Sequence, residues 1–177
     1  PFICNQQTGS PPLTEDDYRW TQSPGQIASG GNLTISAGSF DNQGLIEAGG
    51  NLNAQIGGAL TNTRSENDLF TDANYGTDNP SASTGIIQTG GSLTLQAGSI
   101  ANSGGVLRAG DAIAIQSSGA FANTAPRPKL AGTVSGSQVQ INAASLQNQG
   151  VIQASAGNVT LQSSGGFTNT GEEAQIV

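Results

Sequence analysis

The chain repeats itself about every twenty residues, and that repeat limits its fold more than any other feature. One copy runs from Ile27 to Gly44, IASGGNLTISAGSFDNQG, and the next from Ile46 to Thr63, IEAGGNLNAQIGGALTNT. Further copies begin at Ile87 (IQTGGSLTLQAGSIANSG), Leu107 (LRAGDAIAIQSSGAFANT), Val134 (VSGSQVQINAASLQNQG) and Ile152 (IQASAGNVTLQSSGGFTNT). All six share one template: an apolar residue, a Gly- or Ser-rich corner, an alternating apolar strand, a second small-residue corner, then apolar-x-Asn. The alternating strand is Leu33/Ile35, Leu52/Ala54/Ile56, Leu93/Leu95, Ile113/Ile115, Val139/Ile141 and Val159/Leu161. A second apolar column holds Phe40, Leu60, Ile100, Phe121, Leu146 and Phe167. Two residues after each of these comes Asn42, Asn62, Asn102, Asn123, Asn148 or Asn169.

Alternation over three to five residues means a very short strand with one buried face. Gly, Asn and Ser turn the chain between such strands, because Gly accepts a positive φ and Asn tolerates it. No stretch carries a helical period long enough to compete. Three short strands and three corners in 19–20 residues describe one rung of a parallel β-solenoid, and six copies predict about six rungs over 26–177. Stacked at about 4.8 Å, six rungs form a rod roughly 29 Å long. Each column then lies on its own kind, giving an apolar core and a structural Asn ladder in which each amide can donate to the next rung.

Two insertions interrupt the repeat, 64–84 and 125–131, and both depart just after an Asn-Thr corner. The first carries Phe70 and Tyr75; the second holds Arg127 and Lys129 between prolines and Leu130. Solenoid insertions gather on one side of the rod, often the binding side, so these four are candidate partner-binding residues. The competing reading is a pair of tolerated surface loops, since lengthening a loop costs little entropy. Residues 1–25 do not fit the repeat; they form a leader that is either a cap on the first rung or an interdomain segment. Tyr18 and Trp20 within it are a rigid aromatic pair suited to sealing an end or meeting a partner.

Composition removes most chemistry. The 177 residues include no His, so imidazole-based triads and His metal sites are excluded. Cys4 is the single cysteine, which excludes an internal disulfide and a multi-Cys metal site. Five basic residues and a net charge of −7 argue against nucleic-acid binding. The apolar runs are too short for this segment to insert in a membrane. Carboxylates remain: Asp41, Glu47 and Asp111 lie in the repeats, and the column Glu47, Gln88, Arg108, Gln153 comes nearest to a catalytic grouping. Glu47 and Arg108 would be about 9–10 Å apart there, so no catalytic pair is assigned. No metal-ligand or cofactor motif is found; the Gly doublets lack the Asp that calcium-binding rolls place after them.

The units GGNLTISAGSFDNQG, AGGNLNAQIGGALTNT and GGSLTLQAGSIANSG resemble the haemagglutinin repeats of the filamentous haemagglutinin family, over about residues 26–171. That family comprises large bacterial exoproteins of two-partner secretion, including adhesins and contact-dependent growth-inhibition proteins. The resemblance implies a right-handed parallel β-helix in a secreted filament on the bacterial cell surface. It implies two partners: an outer-membrane two-partner-secretion transporter during export, and a target-cell receptor of protein or glycan. The expected function is a non-enzymatic stalk and adhesin segment that displays receptor-contacting loops or a distal toxin. The alternatives are a carbohydrate-active β-helix enzyme using Glu47 or Asp111, and a spacer with no partner of its own.

Overall fold

A computed structural model describes residues 25–64 and 84–177 of the chain, and every regular element among them is a strand. Tyr18, Trp20, Phe70 and Tyr75 lie outside the described residues.

The first turn of the solenoid consists of β1 (Gln26–Ser29), β2 (Leu33–Ala37) and β3 (Phe40–Asn42). The second is β4 (Leu45–Ala48) and β5 (Leu52–Thr63), the third β6 (Ile86–Thr89) and β7 (Leu93–Ser103). The fourth is β8 (Val106–Ala109) and β9 (Ala112–Thr124), the fifth β10 (Thr133–Gly136) and β11 (Gln138–Asn148). The sixth returns to three strands, β12 (Val151–Ala154), β13 (Val159–Ser163) and β14 (Phe167–Asn169). A short β15 (Gln175–Ile176) starts a seventh.

Strands equivalent by sequence stack in parallel. One sheet runs β1-β4-β6-β8-β10-β12-β15 and the other β13-β11-β9-β7-β5-β2, with β3 and β14 pairing on β5 and β11. The architecture is the parallel β-helix expected from the repeat. Register preserves the columns: Ile46 pairs with Ile87, Leu52 with Leu93, Leu60 with Ile100, and Asn62 with Asn102. Parallel pairing leaves no choice here, because a one-residue slip would turn every core residue outward. Leu93, Leu95, Leu107, Ile115, Phe121, Val134, Ile141 and Ile152 are all at 0% exposure.

One detail differs from the three-strand rung. In the second to fifth turns the middle corner does not interrupt the strand; the chain bends through a bulge, with register shifts between Ile56/Ala59, Ala97/Ile100 and Ala143/Ser145. Small residues there (Gly57-Gly58, Gly98-Ser99, Ser117-Ser118-Gly119) let neighbouring turns approach without breaking the ladder. Only the first and last turns, which have a partner on one side of these strands, keep the corner as a true break.

Burial of Leu95 in a column with no counter-ion sets a direct test. Leu95→Asp is expected to abolish the cooperative thermal transition, while Leu95→Ala should keep the fold and lose about 2–5 kcal/mol in urea. A soluble, cooperatively melting β-rich Asp variant would contradict the inward phase.

Candidate functional site

Each of the first five turns buries one asparagine, and with Asn169 of the sixth these residues form a directed chain of amides. Asn42 Nδ2 donates to Asn62 Oδ1, Asn62 to Asn102, Asn102 to Asn123, Asn123 to Asn148 and Asn148 to Asn169, each at 2.8 Å. The same nitrogens reach backbone oxygens: Asn102 Nδ2 donates to Gly105 O at 3.0 Å and to Thr133 O at 3.3 Å. Asn62, Asn102, Asn123 and Asn148 are 0% exposed, so these partners replace water completely. The last member, Asn169, is exposed.

That ladder stands beside the corner from which both insertions depart. The exits are Asn62-Thr63 and Asn123-Thr124, and the chain re-enters at Gly85 and Gly132. Each loop is closed at its base by the same hydrogen bond: Gly85 N donates to Thr63 O at 2.9 Å, and Gly132 N to Thr124 O at 3.0 Å. The re-entry residue has to be glycine, since a Cβ at Gly85 would lie 2.5 Å from Asn42 O and 2.7 Å from Asn62 Oδ1. These re-entry glycines are missing from the template read off the repeats; their signal is a Gly a few residues beyond each Asn, displaced by the insertion in two turns.

The intervening turn has no insertion and passes the corner through Ser103 and Gly104. Gly104 adopts φ +63°, and a Cβ there would lie 3.1–3.2 Å from Leu130 O, Pro126 Cγ and Arg64 Cβ. The roots of both insertions therefore pack against one glycine. Arg64 pairs with Thr84 across the base of the first, and Arg64 N donates to Ser103 O at 3.0 Å. In the second, Leu130 N donates to Arg127 O at 3.1 Å, a turn with Pro128 and Lys129 at its centre. Lys129 is exposed, with φ +67°, in the conformation that type II turns usually reserve for Gly or Asn. Arg127 is half-buried at the root of this loop.

The carboxylate candidates are dispersed. Glu47, Gln88 and Arg108 do share a column, but Ser135 stands between Arg108 and Gln153 in it. Gln88 Nε2 donates to Glu47 Oε1 at 3.0 Å, so an amide separates the carboxylate from Arg108. Asp111 precedes β9 at a different corner, and Asp41 accepts from Thr61 Oγ1 at 2.5 Å. Among the described residues no three of His, Cys, Asp and Glu are placed to hold a metal ion, and no helix is long and apolar enough to cross a membrane.

With this geometry in place, comparison with known families is decisive. The haemagglutinin-repeat profile matches three times, over residues 28–68, 55–125 and 130–171, and so covers most of the chain. The chain belongs to the haemagglutinin-repeat family. No curated protein and no solved structure gives a significant match. Haemagglutinin repeats occur in secreted surface filaments of the filamentous haemagglutinin type. Among the described residues the three matches together span all six stacked turns of this haemagglutinin-repeat segment.

The buried amide chain should dominate polar stability. Asn102→Ala takes from Asn62 Nδ2 its side-chain acceptor, leaving Val106 O, removes three donor contacts of its own, and is expected to cost about 2–4 kcal/mol by urea denaturation. Asn169→Ala, at the exposed end, should cost less than about 1 kcal/mol. Equal costs at the two positions would contradict a ladder that depends on burial.

Proposed function

We propose that this haemagglutinin-repeat segment is a non-enzymatic stalk and adhesin segment of a secreted bacterial surface filament. Its mechanism is distance and display. Each turn is hydrogen-bonded to its neighbours, which makes the rod stiff, and the insertions at 64–84 and 125–131 are offered to a target-cell receptor along one edge. Phe70, Tyr75, Arg127 and Lys129 are the proposed contact residues, with Tyr18 and Trp20 of the leader as a second aromatic contact. Export through an outer-membrane two-partner-secretion transporter and display of a distal toxin belong to the same reading, carried by family membership.

The observation that supports display over a plain spacer is the shared root of the two insertions at Gly104. Both insertions leave from the same corner of turns two apart, and their roots share one neighbour, Gly104. With their roots side by side, both insertions are presented at one edge of the rod, which suits a composite contact surface.

The uninterrupted corner supplies the test. Replacing residues 64–84 by a single Gly turns Thr63-Gly-Gly85 into a copy of Ser103-Gly104-Gly105. The variant is expected to keep the β-rich circular dichroism spectrum and melting temperature of the parent and to bind target cells at least about tenfold more weakly. Unchanged adhesion by a folded variant would leave the segment a spacer.

A further inference from the structure

Among the described residues, one face of the rod carries no charge. It is the outward side of β2, β5, β7, β9, β11 and β13, before the bulge. Its two columns are Thr34, Asn53, Thr94, Ala114, Gln140, Thr160 and Ser36, Gln55, Gln96, Gln116, Asn142, Gln162. The nine charged residues of the described chain are Asp41, Glu47, Arg64, Arg108, Asp111, Arg127, Lys129, Glu172 and Glu173, and none is on it. Asp111 comes nearest, at the corner before β9. Ordinary soluble surfaces mix in about 25–35% charged residues, so twelve uncharged outward positions depart from the norm.

The face is also periodic. Gln55, Gln96, Gln116, Asn142 and Gln162 are all exposed and stack one per turn, with Gln96 Nε2 donating to Gln116 Oε1 at 3.2 Å. Ser36, Gln55 and Gln96 border a shallow, open depression of about 520 Å³ that also touches Gly57, Gly98 and Ser118 at the bulge. No aromatic side chain lies on the face, so it has no stacking platform for a sugar or a base.

We propose that this face is where two copies of the rod pack side by side. A ladder of amides repeating at about 4.8 Å is matched in period by another parallel β-solenoid, and amide ladders interdigitate between paired sheets. Charge selects the same partner. The chain carries a net charge of −7, and because none of the nine described charges lies on this face, two copies meeting here set no like charges of the described residues against each other. Six strands at about 4.8 Å by five residues at about 3.3 Å give roughly 480 Å² per copy, or about 950 Å² in all. That lies below the roughly 1,200 Å² of a stable complex, so six turns associate weakly, and the contact strengthens as turns are added.

The test is self-association of the 177-residue chain, followed by sedimentation equilibrium and small-angle scattering over a wide concentration range. The expected result is a reversible dimer whose cross-section grows while its length does not. Gln55→Lys with Gln116→Lys places two charges on the face, two turns apart, and lowers the net charge from −7 to −5. General repulsion therefore falls, yet association should weaken at least about tenfold. Ala28→Lys with Gln153→Lys makes the same charge change on the outer side of the other sheet and should leave association unchanged. A chain that stays monomeric at the highest concentration overturns the proposal. So does a dimer that grows in length, which is end-to-end stacking, and so does a lateral dimer equally weakened by both lysine pairs. Retained thermal transitions in both variants separate loss of association from loss of fold.

Discussion

A polar side chain buried inside a stack of turns must be satisfied within the stack, by its own corner and by the turns on either side of it. The asparagine amides meet this constraint by donating to the next Oδ1 and to the backbone of the next corner, all in one direction along the rod. Much else follows. The turn must repeat with a constant rise, or successive amides would fall out of reach. The adjoining corner must be tight, which is why glycine re-enters there. The apolar columns inherit the same register, so a thin core of one side chain per column is continuous, built of Leu, Ile, Val and Ala with Phe121 as its fully buried aromatic residue.

The composition that looks poor in chemistry is the consequence of this economy. Corners consume Gly, Asn and Ser; outward strand positions take Thr, Gln and Asn, because cross-strand neighbours of the same type stack without repulsion, whereas like charges directly opposite would destabilise the ladder. A column-wise protein therefore carries few charges on its strands and concentrates them at corners and loops, where Arg64, Asp111, Arg127, Lys129, Glu172 and Glu173 are found. Three exceptions lie on strands: Asp41 in β3, which accepts from Thr61, and Glu47 and Arg108, which share a column but are separated by Gln88, whose amide binds the carboxylate.

The architecture was legible in the sequence because stacking turns a linear period directly into a spatial neighbour: residues about twenty apart become adjacent, and Leu33, Leu52, Leu93, Ile113, Val139 and Val159 lie above one another. The bulged middle corner was not legible. Gly57-Gly58 and Ser117-Ser118 read as a break, and only pairing on both sides keeps the strand running through them. The meeting of the insertions at Gly104 was equally hidden, since Arg64 and Pro126 are far apart in sequence and neither has a repeat counterpart. Their common phase was visible, but contact depends on the left-handed turn of a glycine in the turn between them.

The hydrogen bond that closes each insertion at its base has an evolutionary consequence. Gly85 and Gly132 bind the exit threonine whether twenty-one residues or seven intervene, so the stack does not register how much chain has been spliced in. Within a strand, one added residue would shift a column and expose the core, and the bulged middle corner absorbs a difference of only one residue between neighbouring turns. Lineages descending from such a filament can thus lengthen, shorten or exchange what protrudes from this edge while the rod stays fixed, and length variation should collect at this corner in preference to any other.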